Sequence, residues 1–221
     1  MVFVVALGVW SYTGQGPREN IPDTDNPFLL GQYYFNHGDR ADGTYDLAKA
    51  RQYFNQSIAE EPAGNLLTWY QLGRIDFLEG DFDAAIYKFQ KQIQYFSDEL
   101  PNVYYMLGLT YGYKARELES EADWKKAEEY FQKYLEYDES SPWTKVDLSW
   151  VYFAQGKYDE MHTLLQPVLA LHEDNPWFLN MYALSLLNTG KKEEAHEYFK
   201  RAEDFAHGLS PEDWGTTYPG N

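Results

Sequence analysis

A five-residue pattern returns five times along the chain, and its spacing limits what the chain can fold into. Each copy starts with alanine or methionine and ends four positions later with phenylalanine or leucine. Successive copies begin 35, 42, 34 and 34 residues apart. Such a repeat indicates stacked units of two helices and predicts an all-α fold rather than one globular core. The copies cover residues 50–54, 85–89, 127–131, 161–165 and 195–199.

Residues ahead of each copy recur as well. Trp69, Leu72 and Gly73 precede the second copy, and comparable aromatic, leucine and small residues precede later copies. Because these positions recur at the same places relative to the five-residue pattern, the chain resembles the tetratricopeptide repeat family from about residue 26 to about residue 207. The resemblance implies a right-handed α-solenoid of about five antiparallel two-helix repeats, with the phenylalanine and leucine anchors in its core.

The sequence departs from the family's pattern at three positions and in two insertions. Asp76, Gln92 and Met161 stand where an aromatic or small residue is expected. The insertions lie near residues 37–45 and 118–123. The resemblance is therefore specific, because several marked positions recur in phase, but it is not complete.

Glycine and proline mark the ends of the predicted helices. Gly80, Gly156 and Gly190 interrupt helical patterns and suit the turns between antiparallel helices. The prolines suit helix starts, where a missing amide hydrogen costs nothing; they stand at positions 27, 101, 142 and 176. The pattern predicts helices at about 27–36, 45–60, 65–79, 82–96, 101–117, 123–137, 142–155, 158–171, 176–189 and 192–206.

The two ends of the chain fall outside the repeats. We expect an N-terminal segment with a linker over residues 1–25, the repeats over 26–207, and an extended tail over 208–221 whose Trp214 caps the last helix. The first residues form an apolar run that is too short to span a bilayer. Three interpretations stay open: the end of a membrane anchor or secretion signal, an assembly segment buried in another subunit, or a segment folded over its own first repeat. The run contains Val2, Phe3, Val4, Val5, Leu7, Val9 and Trp10.

Composition restricts the partners and the chemistry. The net charge is −17, so nucleic acid and anionic membrane surfaces would be repelled. Aromatic residues make up 18% of the chain, which is more than the repeat anchors use, so some must lie on surfaces. The absence of cysteine excludes disulfides, thiol catalysis and cysteine-bound zinc.

The sequence contains no motif that indicates catalysis or a cofactor. It lacks a nucleophile elbow, a phosphate-binding loop and a zinc protease motif. His196, between Glu193 and Glu197, is interpreted as part of a solvated helix face, and the stretch 39–46 as a polar insertion rather than a calcium loop. Asn55 begins a glycosylation pattern inside a predicted helix. We therefore expect a protein without catalytic activity, metal or cofactor.

The resemblance also implies where a ligand binds. In this family the first helix of each unit lines the inner, concave side. We select the residues of these helices that helical periodicity places on the side away from Leu72, Leu107 and Leu148. Aromatic side chains dominate the selection, and Arg74 supplies its only cation, so an apolar or aromatic segment is a better ligand than a terminal carboxylate. The predicted groove consists of Gln32, Phe35, Asn36, Tyr70, Arg74, Phe77, Tyr105, Leu109, Tyr113, Trp143, Trp150, Phe153, Trp177, Asn180 and Asn188.

These features predict a scaffold that binds proteins or peptides, other copies of itself included. We expect a location outside the cytoplasm, with residues 1–13 as the tether or export segment. The alternative prediction is a structural subunit that assembles head to tail into a filament through its apolar N-terminal run. A third interpretation is an accessory domain of an enzyme whose catalytic part lies elsewhere.

Overall fold

The structure is a computed structural model of the chain, and it describes residues 23–36 and 46–205. Every regular element within these residues is helical, and the helices pair in the antiparallel manner expected, so the predicted all-α fold is confirmed. The elements are α1 (Pro27–Asn36), α2 (Leu47–Glu60), α3 (Thr68–Glu79), α4 (Phe82–Phe96), α5 (Asn102–Leu118), α6 (Glu121–Leu135), α7 (Pro142–Ala154), α8 (Tyr158–Leu165), a 3-10 segment (Gln166–Leu171), α9 (Pro176–Asn188) and α10 (Lys192–Phe205).

The turns within three helix pairs depend on glycine, as the sequence predicts. Gly80, Gly156 and Gly190 have φ angles of 81°, 72° and 87°. This left-handed conformation satisfies the last carbonyls of the preceding helix and strains residues that carry a Cβ. In the turn at Gly80, the next helix, α4, begins with an N-terminal cap, in which the carboxylate of Asp81 accepts a hydrogen bond from the amide of Ala84.

The eighth helix is shorter than the predicted range 158–171. It ends at Leu165, and residues Gln166–Leu171 continue as a 3-10 segment. Pro167 explains the difference, because proline has no amide hydrogen to donate and its ring collides with the carbonyl four residues earlier. A proline inside the predicted helix was therefore the signal that helical periodicity alone overlooked.

The chain divides into two compact units, Met1–Met106 and Leu107–Asn221, and the division falls inside α5. In the first unit, α1 pairs with α2 and α3 with α4. The anchor rings pack where the facing helix has no side chain: a Cβ added at Gly31 would stand 2.6 Å from Phe54, and one at Gly73 would stand 2.6 Å from Phe89. Both rings are fully buried.

The second unit repeats this packing. A Cβ at Gly108 would stand 2.7 Å from the ring of Phe131, which is also fully buried. Met161 and Leu165, which replace the alanine and phenylalanine of the pattern, are buried too. Phe199 on α10 is half-buried. The anchors therefore form the core, as expected, and the last of them is the most exposed.

Two of the departures from the family's pattern are buried polar residues, and their hydrogen bonds are complete except at Asp76 Oδ2, which has no hydrogen-bond partner among the described residues. Buried Asp76 accepts a hydrogen bond from Arg51, and Lys88 lies 3.9 Å from its other carboxylate oxygen. Buried Gln92 donates to the carbonyl of Leu66 at 2.6 Å and accepts from the amide of Tyr70 at 3.1 Å. Because a buried polar group without a partner is destabilising, these contacts explain how the polar residues are accommodated.

Several predictions fall on residues outside those that the structure describes. They are the apolar run within residues 1–13, the insertion at 37–45 and the tail at 208–221 with Trp214, so these stay predictions. The predicted limits of the repeat region, 26 and 207, likewise stay predictions. In the described part of the chain, we find no helix with the length and apolar character needed to cross a membrane.

Candidate protein-binding surface

The structure places four members of the predicted groove in the core. Phe35 and Phe77 in the first unit and Leu109 and Trp150 in the second are buried, so they cannot meet a ligand in this conformation. We therefore remove these four residues from the candidate surface. Helical phase separates the sides of one helix, but it does not reveal which side a neighbouring helix covers.

Trp150 shows the physical reason most clearly. Its side chain is 1% exposed, and its ring lies 5.1 Å from that of Trp124 and 5.4 Å from that of Tyr113. A Cβ at Gly112 would stand 2.7 Å from the indole, so the glycine makes the room that the large ring fills. The tryptophan thus belongs to the packing of the second unit.

In the first unit, α1 and α3 bring together a chain of hydrogen bonds between polar side chains. Gln32 accepts at its Oε1 from the side-chain amides of Gln71, at 3.1 Å, and Asn36, at 3.4 Å. Gln71 in turn accepts from the guanidinium of Arg74 at 3.0 Å. We call Gln32, Asn36, Tyr70, Gln71 and Arg74 the α1–α3 surface.

Arg74 is ordered by aromatic rings as well as by this hydrogen bond. Its guanidinium carbon lies 4.6 Å from the ring centre of Phe35 and 5.9 Å from that of Tyr70. Such stacking is attractive and holds the flat guanidinium in one orientation. Phe35 therefore supports the α1–α3 surface from the core instead of lining it.

Gln71 is the residue of this surface that the sequence prediction missed. It lies beside the core residue Leu72 and is itself buried, and the groove predicted from the sequence did not include it. A glutamine at a buried position of a first helix was the available signal, because a buried amide needs partners. Tyr105 lies in the first unit on α5 and is half-buried.

In the second unit, Tyr113 is the predicted groove residue with the most perturbed acidity. Burial raises its pKa to about 12, and the nearby carboxylate of Asp147 adds to the shift. The guanidinium of Arg116 lies 4.8 Å from the Tyr113 ring centre. The hydroxyl therefore keeps its proton at neutral pH and can donate a hydrogen bond.

The remaining predicted residues of the second unit differ in exposure. Trp143 is 54% exposed, with its ring 6.1 Å from that of His172. Phe153 is half-buried, as are Trp177 and Asn180, whereas Asn188 is exposed and donates to the carbonyl of Leu184 at 2.8 Å. Each can be reached by solvent at least in part, so all stay predictions.

His162 makes a second polar cluster that the sequence did not indicate. Ser185 donates its hydroxyl hydrogen to the carbonyl of Tyr182, so its oxygen is the acceptor for His162 Nδ1–H at 3.2 Å. The other ring nitrogen, Nε2, then accepts from Lys191 at 3.3 Å. This arrangement requires a neutral imidazole. The pKa of His162 is lowered, mainly because the ring is partly buried and also because Lys191 is positively charged.

This geometry predicts a pH dependence of stability. The pKa of His162 is lower in the folded protein than in the unfolded chain. As the pH falls below about 6.5, the imidazole is therefore protonated more readily in the unfolded chain, and the free energy of unfolding decreases. We expect His162→Gln to reduce the difference in melting temperature between neutral and mildly acidic buffer. His196→Gln, at an exposed site on α10, is the matched control. Identical pH profiles for the wild type and both variants would contradict the prediction.

The described residues show no group of side chains suited to hold a metal ion. No cluster of three or more histidine, aspartate or glutamate side chains lies close enough together among them. His196, Glu193 and Glu197 are exposed on α10.

Comparison with known proteins identifies the fold. A tetratricopeptide repeat model matches residues 146–211. A crystal structure of MamA protein superimposes with a TM-score of 0.62 at 18% identity, covering 81% of this chain and 96% of that one. Another MamA structure (AMB-1) gives a TM-score of 0.60 at 20% identity, covering 75% and 86%. PilW, whose structure is described as that of a widely conserved type IV pilus biogenesis factor, gives 0.63 at 18% identity, covering 85% and 79%.

No curated protein matches the sequence. At these identities the solved structures establish the fold alone. The recurring positions in the sequence, the paired helices and the matching repeat model agree with one another. The chain is therefore a protein of tetratricopeptide repeat fold, with the family's sequence pattern in residues 146–211.

Proposed function

We propose that this protein is a non-enzymatic scaffold that binds a segment of a partner protein on its α1–α3 surface. The observation that carries the proposal is the hydrogen-bonded chain from Arg74 through Gln71 and Gln32 to Asn36. Core packing alone would favour apolar side chains at buried or half-buried positions. A connected polar network next to stacked aromatic rings is better explained by a ligand that uses it.

The direction of the hydrogen bonds indicates what such a ligand offers. Gln32 and Gln71 use their side-chain oxygens as acceptors within the network. Among the described residues the Gln32 NH2 group has no acceptor, so it can donate to a ligand. Peptide carbonyls are matching acceptors, and Tyr70 supplies a ring for an apolar side chain. An extended peptide with apolar or aromatic residues fits these groups.

We also propose a location outside the cytoplasm, and we keep assembly into a filament as the alternative function. Both depend on the apolar run from Val2 to Trp10, whose burial would be worth several kcal/mol at about 25 cal/mol per Å². The fold is shared with PilW, whose structure is described as that of a type IV pilus biogenesis factor, which fits an envelope setting. Fractionation of cells that express the full chain tests the location.

The test of the binding surface uses peptides selected from a random phage-displayed library on the immobilised full chain. We expect Arg74→Ala and Tyr70→Ala each to weaken the selected peptides by about tenfold or more, which corresponds to about 1.4 kcal/mol. Asn36→Ala, at an exposed position, should weaken them less. Affinity is measured by titration calorimetry, and melting temperatures verify that each variant is folded.

The control is a similar cation–aromatic pair elsewhere, formed by Lys133 in the last turn of α6 and Tyr137 just after that helix, with the ammonium group 5.4 Å from the ring centre. Alanine at these two positions should leave peptide affinity unchanged. Selected peptides that bind the Arg74 and Tyr70 variants as tightly as the wild type would exclude the α1–α3 surface. If the Tyr70 variant alone unfolds, Arg74→Ala and Asn36→Ala still decide the question.

A further inference from the structure

The exposed side of α4 carries two tyrosines and two lysines, and the acidic residue of this helix, Asp83, lies in its first turn. Tyr87 is 51% exposed and Tyr95 is 39% exposed. Lys88 and Lys91 lie between them, and no aspartate or glutamate occurs from residue 84 to residue 97. We call Tyr87, Lys88, Lys91 and Tyr95 the α4 patch.

The side chains of the α4 patch are ordered against one another. The ammonium groups of Lys88 and Lys91 lie 5.4 and 5.6 Å from the ring centre of Tyr87, and Lys91 lies 5.9 Å from that of Tyr95. Tyr95 in turn stacks on Trp69, with ring centres 5.9 Å apart. Because these side chains already share a fixed arrangement, docking would cost them little conformational entropy.

Helix α6 provides an internal comparison, since it has the same kind of residues with their charge neutralised. Lys126 pairs with Glu129 at 2.6 Å, and Lys133, next to Tyr137, pairs with Glu136 at 2.7 Å. On α4 the described structure gives Lys91 no carboxylate, only the amide oxygen of Gln94 at 2.8 Å.

Lys88 is only partly neutralised as well. Its nearest carboxylate is the buried Asp76, at 3.9 Å, and that carboxylate also accepts from Arg51. The α4 patch therefore presents positive charge together with exposed aromatic area, whereas the corresponding face of α6 does not.

Helix α10 offers the complementary charge. Glu193, Glu194 and Glu197 are exposed, and within the described residues none of them forms an ion pair. Glu193 and Glu197 line a shallow depression of about 430 Å³, together with His196 and with Lys192 at its edge.

We propose that the α4 patch docks on this acidic face of α10 in a second copy of the chain. Two copies with a charge of −17 repel at long range, but at physiological salt this repulsion is screened beyond about 8 Å, so the local contacts decide. The contact joins two different surfaces and is thus head to tail. It leaves the α1–α3 surface to the partner of the proposed function, and it does not depend on that function.

The test uses two full-length variants with complementary defects. Lys91→Glu with Tyr95→Ser removes the α4 patch but keeps the α10 face. Glu193→Lys with Glu197→Lys reverses the α10 face but keeps the α4 patch. In sedimentation velocity over a concentration series, the wild type should self-associate, and each variant alone should lose this association. A mixture of the two should form a complex of one copy of each, because one intact interface remains.

The matched control is Lys133→Glu with Tyr137→Ser, at the end of α6 and just after it, and this variant should self-associate like the wild type. Melting temperatures establish that every variant is folded. The proposal is wrong if the two variants associate as the wild type does, if the wild type is monomeric throughout, or if the mixture forms no complex although both variants are folded. Peptide affinity at the α1–α3 surface should be the same in all these variants, which separates this result from the test of the proposed function.

Discussion

Alanine at Phe89 or at Phe131 is expected to lower the free energy of unfolding by about 3–5 kcal/mol, as for other buried aromatic truncations. Both rings are fully buried, and each packs directly on a glycine of the facing helix, Gly73 or Gly108. Alanine therefore leaves a cavity that neither helix can fill without moving its backbone. Because repeats depend on their neighbours, we expect the loss to spread beyond the mutated pair. Chemical denaturation of the purified variants measures the free energy.

The matched control for this prediction is Phe199→Ala at the corresponding position of the last pair. Phe199 is half-buried, so its truncation removes less contact and should lower the free energy of unfolding by less. Losses below about 1 kcal/mol at Phe89 and Phe131 would show that the helices are rotated relative to the packing described above.

Trp150→Ala is the second large expected effect, again about 3–5 kcal/mol. The indole is 1% exposed and fills the space next to Gly112, between Trp124 and Tyr113. Trp143→Ala, seven residues earlier on the same side of the same helix, should change the free energy of unfolding by less than about 1 kcal/mol because its ring is 54% exposed. Thermal and urea unfolding of the pair measures both values.

This pair of variants decides between two roles for the tryptophans of α7. If Trp150→Ala remains as stable as the wild type, the ring does not belong to the core and the groove assignment from the sequence regains its support. If Trp143→Ala unfolds the chain, the exposed ring makes contacts that the structure does not show. Equal effects at both positions would contradict the packing of the second unit.

Features that depend on one helix pair were predictable from the sequence. The recurrence of Phe54, Phe89 and Phe131 four positions after an alanine predicted that these rings lie in the core, because a close approach of two helices needs small residues beside large ones. The turn glycines also predicted the ends of α3, α7 and α9 to within a few residues. Pro167 was overlooked, because an apolar period continued through it.

Features that depend on a neighbouring pair were not predictable. Trp143 and Trp150 stand seven residues apart and share one side of α7 by phase, yet one is exposed and the other is buried. Only the position of Gly112 on α5 explains the difference. The same holds for the α1–α3 surface, because the bond between Gln32 and Gln71 joins residues 39 positions apart and leaves no local signal in the sequence.

The central claim, that the α1–α3 surface binds a peptide segment, is tested most directly by nuclear magnetic resonance of the side chains that form it. On saturation with a selected peptide, we predict shifts in the side-chain amide signals of Gln32, Asn36 and Gln71 and in the guanidinium signal of Arg74. The side-chain amide of Gln94 on α4 serves as the internal reference and should not move. Shifts at Gln94 without shifts at Gln32 and Arg74 would contradict the claim and place the peptide elsewhere on the protein.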